Sequence, residues 1–344
     1  MKKHIRLALV TLLLAAMMFA AWQIPASAEA KDVKDLTIGI IYLTSEHPYY
    51  QAHAEHTRNY ATELGFNLRE IDGKLDQANM ATQMENLIAQ KVDGIVYCLL
   101  EATPASVDIN AAQDAGIPVV TFAIKHDDAT ASCPFVGLDE FDAGRLGGIK
   151  AGELYLEKFP SQQANVTVIE APGVQATINR SDGFFAGFSS VVTDANLVIR
   201  LDGNGQKEKA MNVTEDVLQS HPEINVFFGS NGDQGLGALA ALEAQGRGTL
   251  DTELVVSHDG SEPEVLKIID PTSALKIANA NRPKACAQAC IDTLLEIING
   301  ERDMKDTSDI LVETAVITGE DINACQEFIR VEYCSTTQLP GATN

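Results

Sequence analysis

The chain has 344 residues, 45% of them hydrophobic and 21% charged, with 25 Gly and 12 Pro. This is ordinary globular usage, which excludes collagen-like, coiled-coil and disordered chains, and the length allows two domains of about 150 residues. Lys and Arg total 25 against 48 Asp and Glu, so the formal net charge is −23. Phosphate backbones and anionic lipid surfaces repel such a chain, and no nucleic-acid partner is expected.

Residues 1–28 read as an export signal. Lys2, Lys3 and Arg6 precede an apolar stretch from Leu7 to Trp22, and Pro25 precedes Ala26-Ser27-Ala28, an A-x-A cleavage pattern. The apolar stretch is about 16 residues, short of the ~20 that a spanning helix needs. Cleavage after Ala28 and residence in a Gram-negative periplasm are expected. Six cysteines remain: Cys98, Cys133, Cys286, Cys290, Cys325 and Cys334. An oxidising compartment favours structural disulfides among them. Cys325 and Cys334 bracket a short C-terminal segment and are suited to close it. Cys98 and Cys133 lie near the ends of neighbouring predicted strands. Cys286 and Cys290 share one face of a predicted helix, where disulfide geometry is seldom reached. No His is near them in sequence and no C-x-x-C occurs, so neither a metal site nor a cofactor is expected.

From Leu36 onward, β-rich apolar runs alternate with helical stretches. Leu36–Leu43 is a buried strand, Tyr49–Leu64 a helix stopped by Gly65, and Phe66–Ile71 the next strand. Helix Gln77–Lys91, strand Gly94–Leu100, helix Pro104–Ala115 and strand Ile117–Ala123 follow. The pattern restarts after Asp139, with strands at Val166–Glu170, Leu197–Leu201, Val226–Phe228, Leu254–Ser257 and Leu275–Ala278. The clearest helices between them are Thr177–Val192, Lys207–Gln219 and Gln234–Gln245. Near-continuous apolar strands separated by helices mean a parallel sheet covered on both faces. "MENLIAQKVDGIVYC" is similar to "TEDVLQSHPEINVFFGS", and "AAQDAGIPVVTF" to "ALEAQGRGTLDTELVVSH", so two doubly wound lobes are expected rather than one long sheet. The helix Lys284–Ile298 comes late enough to return to the first lobe, and Cys325–Asn344 reads as an appended polar tail.

Open parallel sheets bind ligands beyond the carboxyl ends of their strands. Those positions hold Thr44-Ser45-Glu46-His47-Pro48-Tyr49-Tyr50 in the first half, and Asp- and Asn-rich loops around Asn231, Asp233, Asp259 and Asn279 in the second. Asp and Asn suit bidentate bonds to hydroxyls, and paired tyrosines suit stacking on an apolar ring face. The same Asx residues also cap helices, and Tyr49 and Tyr50 also serve as helix-start packing, so both readings stand. Asp202-Gly203-Asn204-Gly205-Gln206 lacks the third carboxylate and the closing Glu of a calcium loop.

Over Leu36 to about Thr318 the chain resembles the type I periplasmic sugar-binding proteins, the ribose-binding family. The resemblance is carried by "IGIIYLTSEHPYY", "AGIPVVTF", "VGLDEFDAGRLGG", "NRSDGFFAGF", "FFGSNGDQGLGALAALEAQG", "VVSHDG" and "IANANRPKACAQAC", in that order. It implies an α/β fold of two Rossmann-like lobes joined by a three-strand hinge that closes on ligand, with delivery to an inner-membrane ABC permease. On that architecture, 36–138 plus 280–304 form the N-terminal lobe, 139–279 plus 305–319 the C-terminal lobe, and 320–344 a tail. A monomer is expected.

Matched position by position, the resemblance makes Tyr49 and Tyr50 the ring-stacking aromatics, Asn231 the cleft asparagine, Asp259 the hydroxyl-gripping aspartate and Asn279 the amide at the second crossover. Asp233, at a strand end, is read from its position as a further ligand acceptor. Where the family has Asp-Arg after "VVTF", this chain has Ala123-Ile124. The expected cleft arginine is Ile178, with Asn179 and Arg180 beside it as candidates. A family aromatic falls near Gly205 and a cleft asparagine at Cys98. Arg180 either meets ligand or pairs with an acid on its own helix. Each lost buried hydrogen bond costs about 0.5–1.5 kcal/mol, so the expected ligand is less hydroxylated than a common pentose or hexose. A deoxy or branched sugar, a cyclitol or a nucleoside-like molecule fits. Asp259→Ala is expected to cost binding while leaving unfolding of the ligand-free protein little changed.

Three functions compete: a transport receptor, a sensory receptor signalling to a membrane histidine kinase or chemoreceptor, and a cleft hydrolase. Only His47 and His258 stand at strand ends, and no G-x-S-x-G nucleophile accompanies either, so no enzyme is expected. Transport is the main reading and sensing its alternative.

Overall fold

The computed structural model of the protein describes residues 31–126 and 128–343. The expected export signal and its cleavage site lie outside the described residues. No helix among the described residues is long and apolar enough to cross a membrane.

The apolar runs of the first half become β1 (Thr37–Tyr42), β2 (Asn67–Asp72), β3 (Gly94–Tyr97), β4 (Val119–Phe122) and β5 (Phe135–Gly137). The second half supplies β6 (Asn165–Glu170), β7 (Asn196–Asp202), β8 (Val226–Gly229), β9 (Leu254–Asp259) and β10 (Leu275–Ala280). Short β11 (Asp309–Leu311) and β12 (Ala315–Ile317) follow. Two sheets result, ordered β11-β5-β4-β3-β1-β2 and β12-β10-β9-β8-β6-β7. The matching order is the internal repeat made visible: the two similar segment pairs end on β3 and β8, and on β4 and β9. Central β3, β4, β8 and β9 are buried throughout, as expected of strands covered on both faces, while edge strands β2 and β7 hold no buried residue.

The chain passes between sheets three times, after β5, after β10 and between β11 and β12. β11 runs parallel to β5 and so leaves the first sheet at its carboxyl edge. It therefore enters the second sheet from the same edge, which makes β12 antiparallel to β10. All three crossings thus lie beside the strand ends where a ligand would sit. β11 corrects the expected boundary at 305, because Asp309–Leu311 pairs with Phe135–Gly137 of the first sheet.

The helix Pro283–Ile298 returns to the first lobe, where Cys290, Ile291 and Leu294 join Ile38, Ile40, Val96 and Phe122 in one core. Full burial of each large apolar side chain contributes about 1.5–3 kcal/mol. In the second lobe, helices Glu140–Lys158 and Gln175–Val191 pack with almost no side chain between them. A Cβ on Gly144 would lie 2.1 Å from the Arg180 carbonyl oxygen. Gly144→Ala is therefore expected to force the helices apart and cost about 1–3 kcal/mol. A chemical denaturation midpoint equal to wild type would show that the helices do not need this approach.

The C-terminal segment is no loose tail. Helix Ile322–Glu332 and the chain after it place Cys325, Ile329 and Leu339 in the second-lobe core. The same segment reaches the first lobe, where His56 Nε2 lies 2.9 Å from the Glu332 carbonyl and Lys284 N–H donates to Glu332 Oε2 at 3.1 Å.

The expected disulfides are absent, since all six cysteines are free. Cys98 and Cys133 pack on opposite faces of the first sheet, in different cores. Cys325 is buried in the second lobe, whereas Cys334 turns to His56 of the first, 3.5 Å from Nε2.

Candidate functional site

A cavity of about 900 Å³ lies between the carboxyl ends of the two sheets, within the roughly 300–1,000 Å³ of small-molecule sites. Its two walls differ in chemistry. The first lobe contributes Leu43, Tyr49, Tyr50, Ala123 and Ile124, with Thr44, Glu46 and His47 at one end. The second contributes Glu140, Arg180, Asn204, Asn231, Asp233 and Asp259, with Ala171, Val174 and Ala176 as its smaller apolar part.

Asp259 ends β9 with φ 122, a conformation costly for any residue with a side chain. Its neighbours hold it there. Asn281 Nδ2 donates to Oδ1 at 2.8 Å, Gly232 N–H donates to Oδ2 at 3.0 Å, and Tyr333 OH donates to its carbonyl at 2.6 Å. His47 caps helix Pro48–Leu64, its Nδ1 accepting Tyr49 N–H at 3.3 Å. That acceptor role leaves the ring proton on Nε2, which stands 3.4 Å from Asp259 Oδ2 across the cleft. The lobes thus touch through a histidine and the central carboxylate. Beside them, Arg180 forms a two-pronged pair with Glu140, Nε to Oε2 at 2.6 Å and Nη2 to Oε1 at 2.9 Å, and its Nη1 donates to the Ser230 carbonyl at 3.1 Å.

Residues 38–302 match the family described as periplasmic binding protein domain. The chain belongs to this family. Among relatives of this periplasmic binding protein, the ribose import binding protein RbsB of Bacillus subtilis (strain 168) is 25% identical over 83% of this chain and 89% of its own. RbsB of Escherichia coli (strain K12) is 27% identical over 81% and 89%. A solute-binding protein from Actinobacillus succinogenes 130z, solved with bound D-allose, has the same fold, with a TM-score of 0.74, 23% identity, and coverage of 86% of this chain and 100% of that one.

Six of the eight residues singled out in the sequence line the binding protein's cavity: Tyr49, Tyr50, Arg180, Asn231, Asp233 and Asp259. Two do not. Asn179 sits one position off the wall and accepts from Gln175 Nε2 at 2.9 Å on its own helix. Asn279 is buried within β10, close under Gly147 of the neighbouring helix. Asn281, two residues on, takes the place at the wall. Asn231 proves to be a cap as well, its Oδ1 accepting Gln234 N–H at 2.8 Å and its Nδ2 donating to the Gly205 carbonyl at 3.0 Å. The tyrosines present rings rather than hydroxyls. Their planes meet at 72° with centroids 5.2 Å apart, while Tyr49 OH donates to Cys286 Sγ at 3.3 Å and Tyr50 OH accepts from Cys98 Sγ at 3.4 Å. Arg180 does pair with an acid, but Glu140 lies on a different helix, a partner that no sequence spacing reveals. His47, Glu140, Asn281 and Tyr333 were all missed as site residues; His47 and Asn281 carried a signal, as polar residues at strand ends.

Burial pushes the Asp259 carboxyl above its usual range, with His47 and Arg180 pulling it back down. Burial likewise raises Glu140 against the opposing pull of Arg180. His258, buried and facing Arg180, is held well below the ordinary histidine range and is neutral. Its Nε2 lies 3.2 Å from Asn281 Oδ1, which orients that amide so that its Nδ2 faces Asp259. The strand-end polar network is therefore built to hold one carboxylate in place.

Behind it, Glu264 accepts from Ser257 OH at 2.5 Å and from both Ser261 N–H and OH at 2.7 Å. Burial and the nearby Asp259 charge push this carboxyl up to about 8. The folded state therefore binds a proton that the unfolded chain releases near pH 4.3, and this group's contribution to stability falls as pH rises from about 4.3 to 8. Glu264→Gln is expected to flatten the melting temperature between pH 5 and 8. An unchanged pH profile would mean that Glu264 is ionised in the fold.

Proposed function

We propose that this protein is the solute receptor of an ABC importer for a sugar-like molecule that presents one apolar face and one hydroxylated edge. The carrying observation is the asymmetry of the cavity. Tyr49, Tyr50, Ala123 and Ile124 face Glu140, Arg180, Asn231, Asp233 and Asp259 across it. A ring lying between them puts its C–H face on the first lobe and its hydroxyls on the second. The first lobe has no charged pair at 123–124, so a deoxy or branched sugar or a cyclitol suits it better than ribose. The relatives named as ribose import proteins and the allose-bound structure support the sugar class.

In this reading the protein is exported by residues 1–28, acts as a monomer in the periplasm, binds without chemistry and docks on an inner-membrane permease. Tyr49, Tyr50, Arg180, Asn231, Asp233 and Asp259 contact the ligand. Ligand bridges the lobes and shifts the population toward the closed form, in which it has partners on both. A ligand hydroxyl takes over the Asp259 lone pair that His47 approaches in its absence.

The test is a thermal-shift screen of the mature protein against pentoses, hexoses, deoxy and branched sugars, cyclitols and nucleosides, followed by calorimetry. At 100 times its dissociation constant a ligand stabilises by about 2.7 kcal/mol, a shift of several degrees. A hit among deoxy sugars, branched sugars or cyclitols is expected. Ribose binding below a micromolar would overturn the ligand class, and a hit confined to nucleosides would overturn the sugar reading.

A further inference from the structure

At and beneath the first-lobe wall, Cys286 lining the cavity and Cys290 and His53 behind it bring together three side chains whose metal-ligating chemistry solute binding does not use. Cys286 and Cys290 stand one turn apart on helix Pro283–Ile298, and His53 projects from helix Pro48–Leu64. One donor atom from each lies within 4.8 Å of the others, and all three residues are buried. Histidine is absent near the two cysteines in sequence, but the packing of the two helices supplies one from more than two hundred positions away.

The imidazole is oriented for use. Thr57 OH donates to the His53 carbonyl at 2.8 Å, so toward the ring, 3.3 Å from Nδ1, it can only accept. That places the ring proton on Nδ1 and leaves the Nε2 lone pair facing the sulfurs, 4.0 Å from Cys290 Sγ. Such a partner on the far nitrogen is the usual support of a metal-bound histidine. Phe122 stacks on the ring at 4.4 Å and fixes its plane. Bonds of about 2.0–2.3 Å from an ion to nitrogen and sulfur put donors about 3.5–4 Å apart in a trigonal set. The cluster needs only small side-chain rotations to reach that spacing.

We propose that His53, Cys286 and Cys290 form a binding site for a thiophilic metal ion, with monovalent copper as the ion that fits. Two sulfurs and one imidazole nitrogen are soft donors, and carboxylates, which suit harder ions, are missing from the cluster. Three donors complete a trigonal copper site, whereas a structural zinc site takes four. Loading displaces thiol protons to solvent, so affinity rises with pH. Because Tyr49 OH donates to Cys286 Sγ, the ion would also stiffen the ring that faces the solute.

The test uses the reduced mature protein without added solute. It is titrated anaerobically with monovalent copper against a competing chelator, and separately with zinc. The expected result is one copper per chain, with X-ray absorption showing two sulfurs and one nitrogen around it. Cys290→Ser and His53→Phe should each weaken retention by more than the ~10–100-fold that loss of a supporting partner costs, and Thr57→Val by that smaller factor. Absence of stoichiometric copper would overturn the proposal. So would a wild-type absorption spectrum lacking the two-sulfur set, which needs no variant to fold. Tighter retention of zinc than of copper would overturn the assignment of the ion, and a Cys286–Cys290 disulfide in protein isolated without reductant would overturn the site.

Discussion

Arg180→Met is expected to destabilise the ligand-free protein by about 3–5 kcal/mol at pH 8, the loss typical of stranding a buried charge. Glu140 loses both prongs of its pair, and the Ser230 carbonyl loses its donor. Burial already raises the Glu140 carboxyl with Arg180 in place, and removal of the guanidinium raises it further. The folded variant then holds a proton that the unfolded chain releases, so its stability falls as pH rises above the ordinary carboxyl range. The deficit is therefore smaller at pH 5 than at pH 8. Adding Glu140→Leu should recover most of it, because an apolar pair of similar volume carries no desolvation cost. Urea melts of wild type, both single variants and the double variant at the two pH values measure the coupling. A double variant no more stable than Arg180→Met would show that the two residues do not act as a pair.

Asp259→Ala is expected to weaken solute binding at least about a hundredfold, or about 2.7 kcal/mol. Hydrogen bonds to a charged acceptor contribute about 1.5–3 kcal/mol each, and a sugar edge offers two. The sequence alone suggests that stability would survive this change, and the geometry argues otherwise. Gly232 N–H and Asn281 Nδ2 both lose a buried acceptor, and His47 loses its partner across the cleft. The ligand-free variant should therefore melt several degrees lower, with Gly232 and Asn281 resonances shifted. Calorimetry with the solute found in the screen, together with a melt of the free protein, separates the two effects. Affinity equal to wild type would remove Asp259 from the site.

The architecture was legible because its causes are local. Runs such as Ile38–Tyr42 and Leu254–Val256 are apolar without polar alternation, and only a strand covered on both faces needs that. The repeat then fixed the number of lobes. Phe135–Gly137, Asp309–Leu311 and Ala315–Ile317 were not legible, since three residues carry no measurable period and owe their strand state to the neighbour they pair with. The C-terminal helix was hidden for a related reason. Its apolar face is only Cys325, Ile329 and a few companions, which become core solely because the second lobe offers them a surface.

The site divides along the same line. Tyr49, Tyr50, Asn231, Asp233 and Asp259 follow strand ends directly, and the chain order of a parallel sheet delivers strand ends to one edge. Glu140 beside Arg180, Asn281 beside Asp259, Tyr333 under Asp259 and His53 beside Cys286 and Cys290 each join segments remote in the chain. Two α/β lobes, a strong negative charge and a polar rim in the second lobe all follow from residue order and composition. Which polar groups pair with one another, and which remain for a ligand, depends on how the lobes and helices pack. Hydrophobic periodicity is a property of neighbours along the chain, whereas a hydrogen bond or an ion pair is decided within a few ångströms of space.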